Sequence, residues 1–239
     1  PNTEVLHCDK PGTGSVDAPR CFSLKLAKVT SKCGLVPSNV DPELCYLHRE
    51  RNGKLVLVAM LTKHVDDIKV TGERHEILYV MKVIEEVFGP MKISWNNFTN
   101  CGVRHIQDSQ TKEASLDQSD YIAGLKTIPP DTYRNQSSNA KCELALHEAY
   151  RSLLGAVAFT GLTRLDVIVF IVALQRFSHA PLVIHVKRLN ALVRWMQQNP
   201  RKIVYRRFTQ TNEQHIKIVA DSSFKKEEEK GHSLRGVLH

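Results

Sequence analysis

Between residues 44 and 71 the chain alternates short β-forming runs with tight turns, and this spacing constrains the fold more than any other feature. Residues 44–48 form one apolar run and residues 55–61 a second, rich in Val and Leu. Asn52-Gly53 lies between them, and Asn-Gly is the strongest short hairpin signal because both residues accept positive φ. A third run, Ile68-Lys69-Val70-Thr71, follows Asp66-Asp67. The paired acids therefore fall in a break between two strands, so a second hairpin with acid at its tip is expected.

The flanks are helical in pattern. Ile77, Val80, Met81, Ile84 and Val87 recur at helical spacing over residues 73–88, and Gly89-Pro90 stops that helix. Upstream, residues 1–20 read as loop, and residues 21–34 carry Phe22, Leu24, Leu26 and Val29 ahead of a capping Gly34. Residues 35–42 form a turn region. Residues 98–117 read as two short strands around Asp108, and 119–126 as a short helix. Residues 128–142, rich in Pro, Ser and Asn, are the most linker-like segment. Residues 147–177 read as two helices broken near Thr163-Arg164. A further helix over 182–198 turns Val183, Val186, Leu189, Leu192, Val193 and Met196 inward, and His185, Lys187, Arg188 and Arg194 outward. Strands are expected near 202–208 and 215–220, then a charge run over 225–230.

Net charge is +8 with His neutral. That balance suits a polyanionic partner, since each neutralised phosphate releases counterions; a merely basic surface is the alternative. No apolar run approaches the ~18 residues of a membrane span, so no membrane partner is expected. Six Cys are present without a CxxC pair, which fits neither a zinc site nor a compact disulfide framework. Reduced thiols in an intracellular setting are the expectation. The chain opens on a polar Pro1-Asn2-Thr3-Glu4 and ends at His239, and both ends read as cut points in a longer polypeptide.

Adjacent carboxylates in an exposed turn repel each other, and such a pair suits Mg²⁺, which takes hard oxygen ligands. Two ions bridged by carboxylates can activate a 3′-hydroxyl and stabilise leaving pyrophosphate. A plain turn with two solvated Asp is the alternative on spacing alone.

The string His64-Val65-Asp66-Asp67-Ile68-Lys69-Val70-Thr71-Gly72 resembles the "YVDD…TG" box of copia-type retrotransposon reverse transcriptases. Gly14-Ser15-Val16-Asp17-Ala18-Pro19-Arg20-Cys21-Phe22 is similar to an upstream "GLKQAPRAW" segment. Asn100-Cys101-Gly102-Val103 resembles an "FLGI" strand, and Leu116 to Ile122 resembles "LSQSKYI". Tyr150-Arg151-Ser152-Leu153-Leu154-Gly155 is similar to "YRSLVG", and Thr163-Arg164-Leu165-Asp166-Val167 to "TRPDI". Asp221-Ser222 stands where the first acid of an appended RNase H domain belongs. The ordered series covers nearly the whole chain.

The resemblance implies an α+β fold. It places an antiparallel palm sheet with flanking helices in 1–127, a linker in 128–146, a helical thumb or connection in 147–210, and the first strands of an RNase H-like fold in 211–239. It implies RNA-directed DNA polymerase chemistry with Mg²⁺ or Mn²⁺, a template-primer of RNA or DNA, deoxynucleoside triphosphates, and the remainder of a Pol polyprotein as partners. Its setting would be a cytoplasmic virus-like particle or the nucleus. Asp66 and Asp67 would be catalytic metal ligands, with Asp221 a ligand of the ribonuclease centre. Asp17, Ala18, Pro19, Arg20 and His64 would line the nucleotide and template side. Lys187, Arg188 and Arg194, from the basic helix face, would track nucleic acid.

Departures from the pattern are His64 for Tyr, Asp17 for Gln, Phe22 for Trp and Leu165 for Pro. The palm also needs a third Asp, and Asp9, the candidate in residues 1–13, has the wrong context. As a separate chain the protein is expected to be a poor polymerase or none. Two other readings stay open: a catalytically dead element remnant acting as a basic nucleic-acid-binding module, and a host-adopted scaffold.

Overall fold

The computed structural model describes residues 15–207 and the backbone of 219–223 and 234–238. Contacts divide the chain into one unit ending at Tyr205 and a second beginning at Arg206. The fold is α+β, built on antiparallel sheets.

The first sheet contains β1 (Leu35–Pro37), β2 (Leu44–Arg51), β3 (Lys54–His64) and β4 (Asp67–Gly72), in that order. Helices α1 (Ala18–Lys32) and α2 (Arg74–Phe88) cover one face. Side chains alternate across a strand, so Ala59 and Leu61 of β3 turn inward to meet Leu26 of α1 and Val80 and Ile84 of α2, all essentially buried. The pairing slips by one residue between Leu47 and His48, opposite Val58. This bulge buries Val58 and Ala59 in succession and leaves Leu55 and Leu57 exposed. The Asn52-Gly53 turn takes the expected form, with φ of 51° and 72°.

The second sheet contains β5 (Asn97–Asn100), β6 (Val103–Gln107), β7 (Ala114–Asp117) and β8 (Ile203–Tyr205). Sequence pattern predicts two strands over 98–117, and the structure has three. Cys101 (φ 48°) and Gly102 (φ 72°) make a tight turn inside what reads as one strand. Polar Asn97, Thr99 and Asn100 hide it, because β5 lacks apolar alternation. The strand expected near 202–208 is β8, which crosses back to pair with β7.

Between β7 and β8 runs the helical half: α3 (Ser119–Gly124), α4 (Leu144–Phe159), α5 (Ile168–Gln175) and α6 (Val183–Gln198). Its core is centred on Tyr150, Val157, Leu189, Val193 and Met196, each fully buried. Burying an aliphatic side chain of this size stabilises by about 1.5–3 kcal/mol. Residues 128–146, linker-like in composition, pack here through a 3₁₀ turn at Pro130–Thr132 and the buried Ile128 and Tyr133. Asn190 explains why. Its side-chain amide accepts from the Ile128 N–H at 2.9 Å and donates to the Ile128 carbonyl at 2.8 Å and to the Tyr133 hydroxyl at 3.0 Å.

The second unit contains β9 (Val219–Ser223) paired antiparallel with β10 (Leu234–Leu238). No helix among the described residues is long and apolar enough to cross a membrane.

Candidate functional site

β3 and β4 meet at a two-residue turn. His64 and Asp67 are the last cross-strand pair, and Val65-Asp66 forms the loop. Val65 has φ of 54°, a conformation that a β-branched residue reaches at a cost of about 1–3 kcal/mol. The eleven-residue β3 and six-residue β4 hold it there. Asp66 and Asp67 are exposed at the tip. Strand alternation puts Asp67 on the same sheet face as Lys69 and Thr71, opposite the face packed by the helices.

Beneath the turn a cleft of about 220 Å³ is lined by Pro19, Ser23 and Leu26 of α1, by Glu43, and by Lys63, His64 and Val65. The structure thus brings together Pro19 and His64, 45 positions apart in sequence. Asp17, Ala18 and Arg20 occupy the same first turn of α1 without lining the cleft. Asp17 is the N-cap of α1, where a carboxylate is favoured by the helix dipole. Its side chain makes no capping hydrogen bond, so only the dipole favours the acid there. Sequence reading missed Lys63 and Glu43. The Lys63 side chain is 5% exposed and faces Glu43 at 3.5 Å; a Lys following apolar Leu61 at strand spacing was the available signal.

Asp66 and Asp67 are hard oxygen donors, and Mg²⁺ is commonly held by one or two carboxylates together with substrate phosphates and water. The pair offers two of the oxygen ligands that such an ion takes. Among the described residues no third His, Cys, Asp or Glu joins them. Asp9 lies outside the described residues. Asp221 is on β9 opposite Gly236, in the second unit.

The basic face expected on α6 needs correction. His185 is 5% exposed, stacked on Phe177 at 3.9 Å, and its Nδ1 accepts the Leu182 N–H at 2.9 Å. It closes the helix N-terminus and does not face solvent. Lys187 is half-buried and donates to the Ser138 hydroxyl at 3.0 Å. Arg194, seven positions on, shares its face, while Arg188 is turned by about 100°, towards an apolar groove of about 750 Å³ shared with Phe170, Phe177 and Trp195.

On the Asp67 face, Lys69 Nζ lies 3.2 Å from His105 Nδ1, and His105 stacks on Phe98 at 5.1 Å. Burial first, and the Lys69 charge second, push the His105 pKa down to about 4. The unfolded chain, with its His near 6.5, binds the proton that the folded chain refuses. Stability is therefore expected to be complete above about pH 6.5 and to fall as pH drops towards 4, by about 1–2 kcal/mol after solvent screening. Lys69, Arg74 and Lys112 border the same cleft. Chemical unfolding across the window, compared with His105→Gln, reads the effect, and an unchanged slope in the variant refutes it.

No family model, no curated protein and no solved structure matches the chain.

Proposed function

We propose that the chain is part of an RNA-directed DNA polymerase of the copia retrotransposon type, with Asp66 and Asp67 as its metal-binding acids. The observation that carries this reading is the acid pair held by a strained turn at the tip of a long antiparallel hairpin. Backbone strain in a β-branched residue persists where surrounding structure enforces it, commonly at functional sites. The turn is exposed to solvent and to ligand, and α1 brings Pro19 alongside it. The ordered series of motif resemblances supports the same reading.

In the chemistry proposed, a primer 3′-oxygen attacks the α-phosphorus of a deoxynucleoside triphosphate, and the bond to pyrophosphate breaks in line. Asp66 and Asp67 would hold Mg²⁺ or Mn²⁺, which when bound supplies charge neutralisation to the triphosphate. Pro19 and His64 would border the approach to the tip. Arg188 and Arg194, both exposed, would contact phosphates of the template-primer.

Mn²⁺ binding measured by water-proton relaxation, with template-primer and deoxynucleotide present, tests the assignment. Asp66→Asn is expected to weaken Mn²⁺ at least about tenfold, as loss of a charged ligand costs 1.4 kcal/mol or more. Its urea unfolding should be unchanged, because Asp66 is exposed. Equal Mn²⁺ binding in the two proteins removes the polymerase assignment. Nucleic-acid binding that ignores both Mn²⁺ and Asp66→Asn supports the basic binding module instead.

A further inference from the structure

A second cleft, of about 520 Å³, lies between β4, the start of α2, residues 94–96 and the second sheet. Three cations border it: Lys69, Arg74 and Lys112. Among the described residues no carboxylate does. Beside these cations in sequence stand Glu73, engaged by Arg51 through two bonds of 2.7 Å, and Glu113, which does not line the cleft. Among the described residues the polar partner of Lys69 is the imidazole of His105, at 3.2 Å. Lys112 donates to the Ser109 carbonyl at 2.6 Å. The Arg74 guanidinium lies over Trp95 at 4.8 Å. Three positive groups on one cleft whose described lining holds no carboxylate favour an entering anion.

The same walls carry aromatic rings. Trp95, Phe98 and Tyr205 line the cleft, and Tyr205 and Trp95 are 55% and 39% exposed. Asn96, Gln107 and Thr71 add hydrogen-bonding groups. Cations for phosphate, rings for stacking and amides for a base edge form the combination by which proteins hold nucleotides. The volume lies within the range of small-molecule sites.

We propose that this cleft binds a nucleoside phosphate, with the phosphate among Lys69, Arg74 and Lys112 and the base against Tyr205 and Trp95. The site shares a sheet face with Asp67, but neither Asp66 nor Asp67 lines it, and it needs no divalent ion. The nucleotide is either free or the end of a single strand, which present the same chemistry.

Calorimetric titration of the full chain in EDTA decides the matter. ATP is expected to bind saturably, with adenosine and inorganic tripolyphosphate each at least about tenfold weaker. Lys69→Met and Arg74→Met should each weaken ATP by about tenfold or more. Lys82→Met, on the exposed side of α2, should leave it unchanged. Arg74 is exposed, so its variant tests the site even where Lys69→Met disturbs folding. A short oligonucleotide binding more tightly than ATP identifies a strand end as the source, and one binding no better identifies the free nucleotide. Absence of saturable ATP binding overturns the proposal. So does ATP binding indifferent to both substitutions, or tripolyphosphate or adenosine binding as tightly as ATP. With no metal in the assay and Asp66 unaltered, failure here leaves the polymerase reading to its own test.

Discussion

Asp166→Ala should destabilise the first unit by about 3–5 kcal/mol, the usual cost of stranding a buried charge. Arg164 is 0% exposed. Its Nε and Nη2 donate to the two Asp166 carboxylate oxygens at 2.9 and 3.0 Å, its Nη1 reaches the Met196 carbonyl at 3.4 Å, and its guanidinium lies over Trp195 at 5.4 Å. Arg201, 3.8 Å from the same carboxylate, is exposed and adds little. Removing the acid leaves a guanidinium in the core of the helical half with one weak hydrogen bond. A fall of more than about 1 M in the urea midpoint is expected. A midpoint near that of the parent would show that the pair is not needed. The Arg164 hydrogen bond chiefly, and its charge, hold the Asp166 carboxyl below the usual carboxylate range. Its contribution is therefore present above about pH 4, the unfolded pKa, and is lost as pH falls through the lower folded value. Asp166→Asn should flatten that acid limb.

Gly72→Ala should cost a similar amount for a different reason. Gly72 ends β4 at φ 148°, and a Cβ there would lie 2.3 Å from the Val58 carbonyl oxygen and 2.6 Å from the Ala59 Cα. Both are backbone atoms of β3 at its bulge, so no rotamer change relieves the clash. That same Val58 oxygen accepts the Glu73 N–H at 2.9 Å, which carries the chain into α2. Overpacking of about 1–3 kcal/mol and conformational strain of similar size add to about 3–5 kcal/mol. The strand end must lift away from β3, carrying the register that sets His64 against Asp67. Amide exchange of β4 should rise with the loss of stability, and near-parental exchange in the variant would refute the account. Gly53→Ala, with nothing within 4 Å of its added Cβ, separates strain alone from the clash.

Period and punctuation sufficed wherever local chemistry decides structure. Asn52-Gly53 announces its turn, Gly89-Pro90 ends α2, and the inward face of α6 follows the helical repeat. Contacts distant in sequence decided the rest. His185 reads as a surface residue of a basic helix until Phe177 covers it. Nothing in the helical repeat singles out Asn190, which binds the backbone of Ile128, 62 positions away. The Cys101-Gly102 turn is masked by polar strand residues that pack against partners rather than alternate. At the candidate site the acid tip and Pro19 were legible from motif resemblance, whereas the Lys63–Glu43 pair and the Lys69–His105 cleft were not, because neither forms a local pattern. Leu165 at the Pro position of its motif opens a 3₁₀ turn and is exposed. Its N–H there lacks an intrahelical partner in any case, so the substitution costs little.

The pairing of Leu116 with Ile203 carries a consequence for biosynthesis. These residues are 87 positions apart, so at roughly 5–20 residues per second the ribosome delivers the closing strand several seconds after β7 has left the tunnel. Throughout that interval the backbone donors and acceptors along one side of β7 have no mate. Nascent chains stalled between 117 and 203 should therefore recruit chaperones and self-associate, whereas chains released past Tyr205 should not.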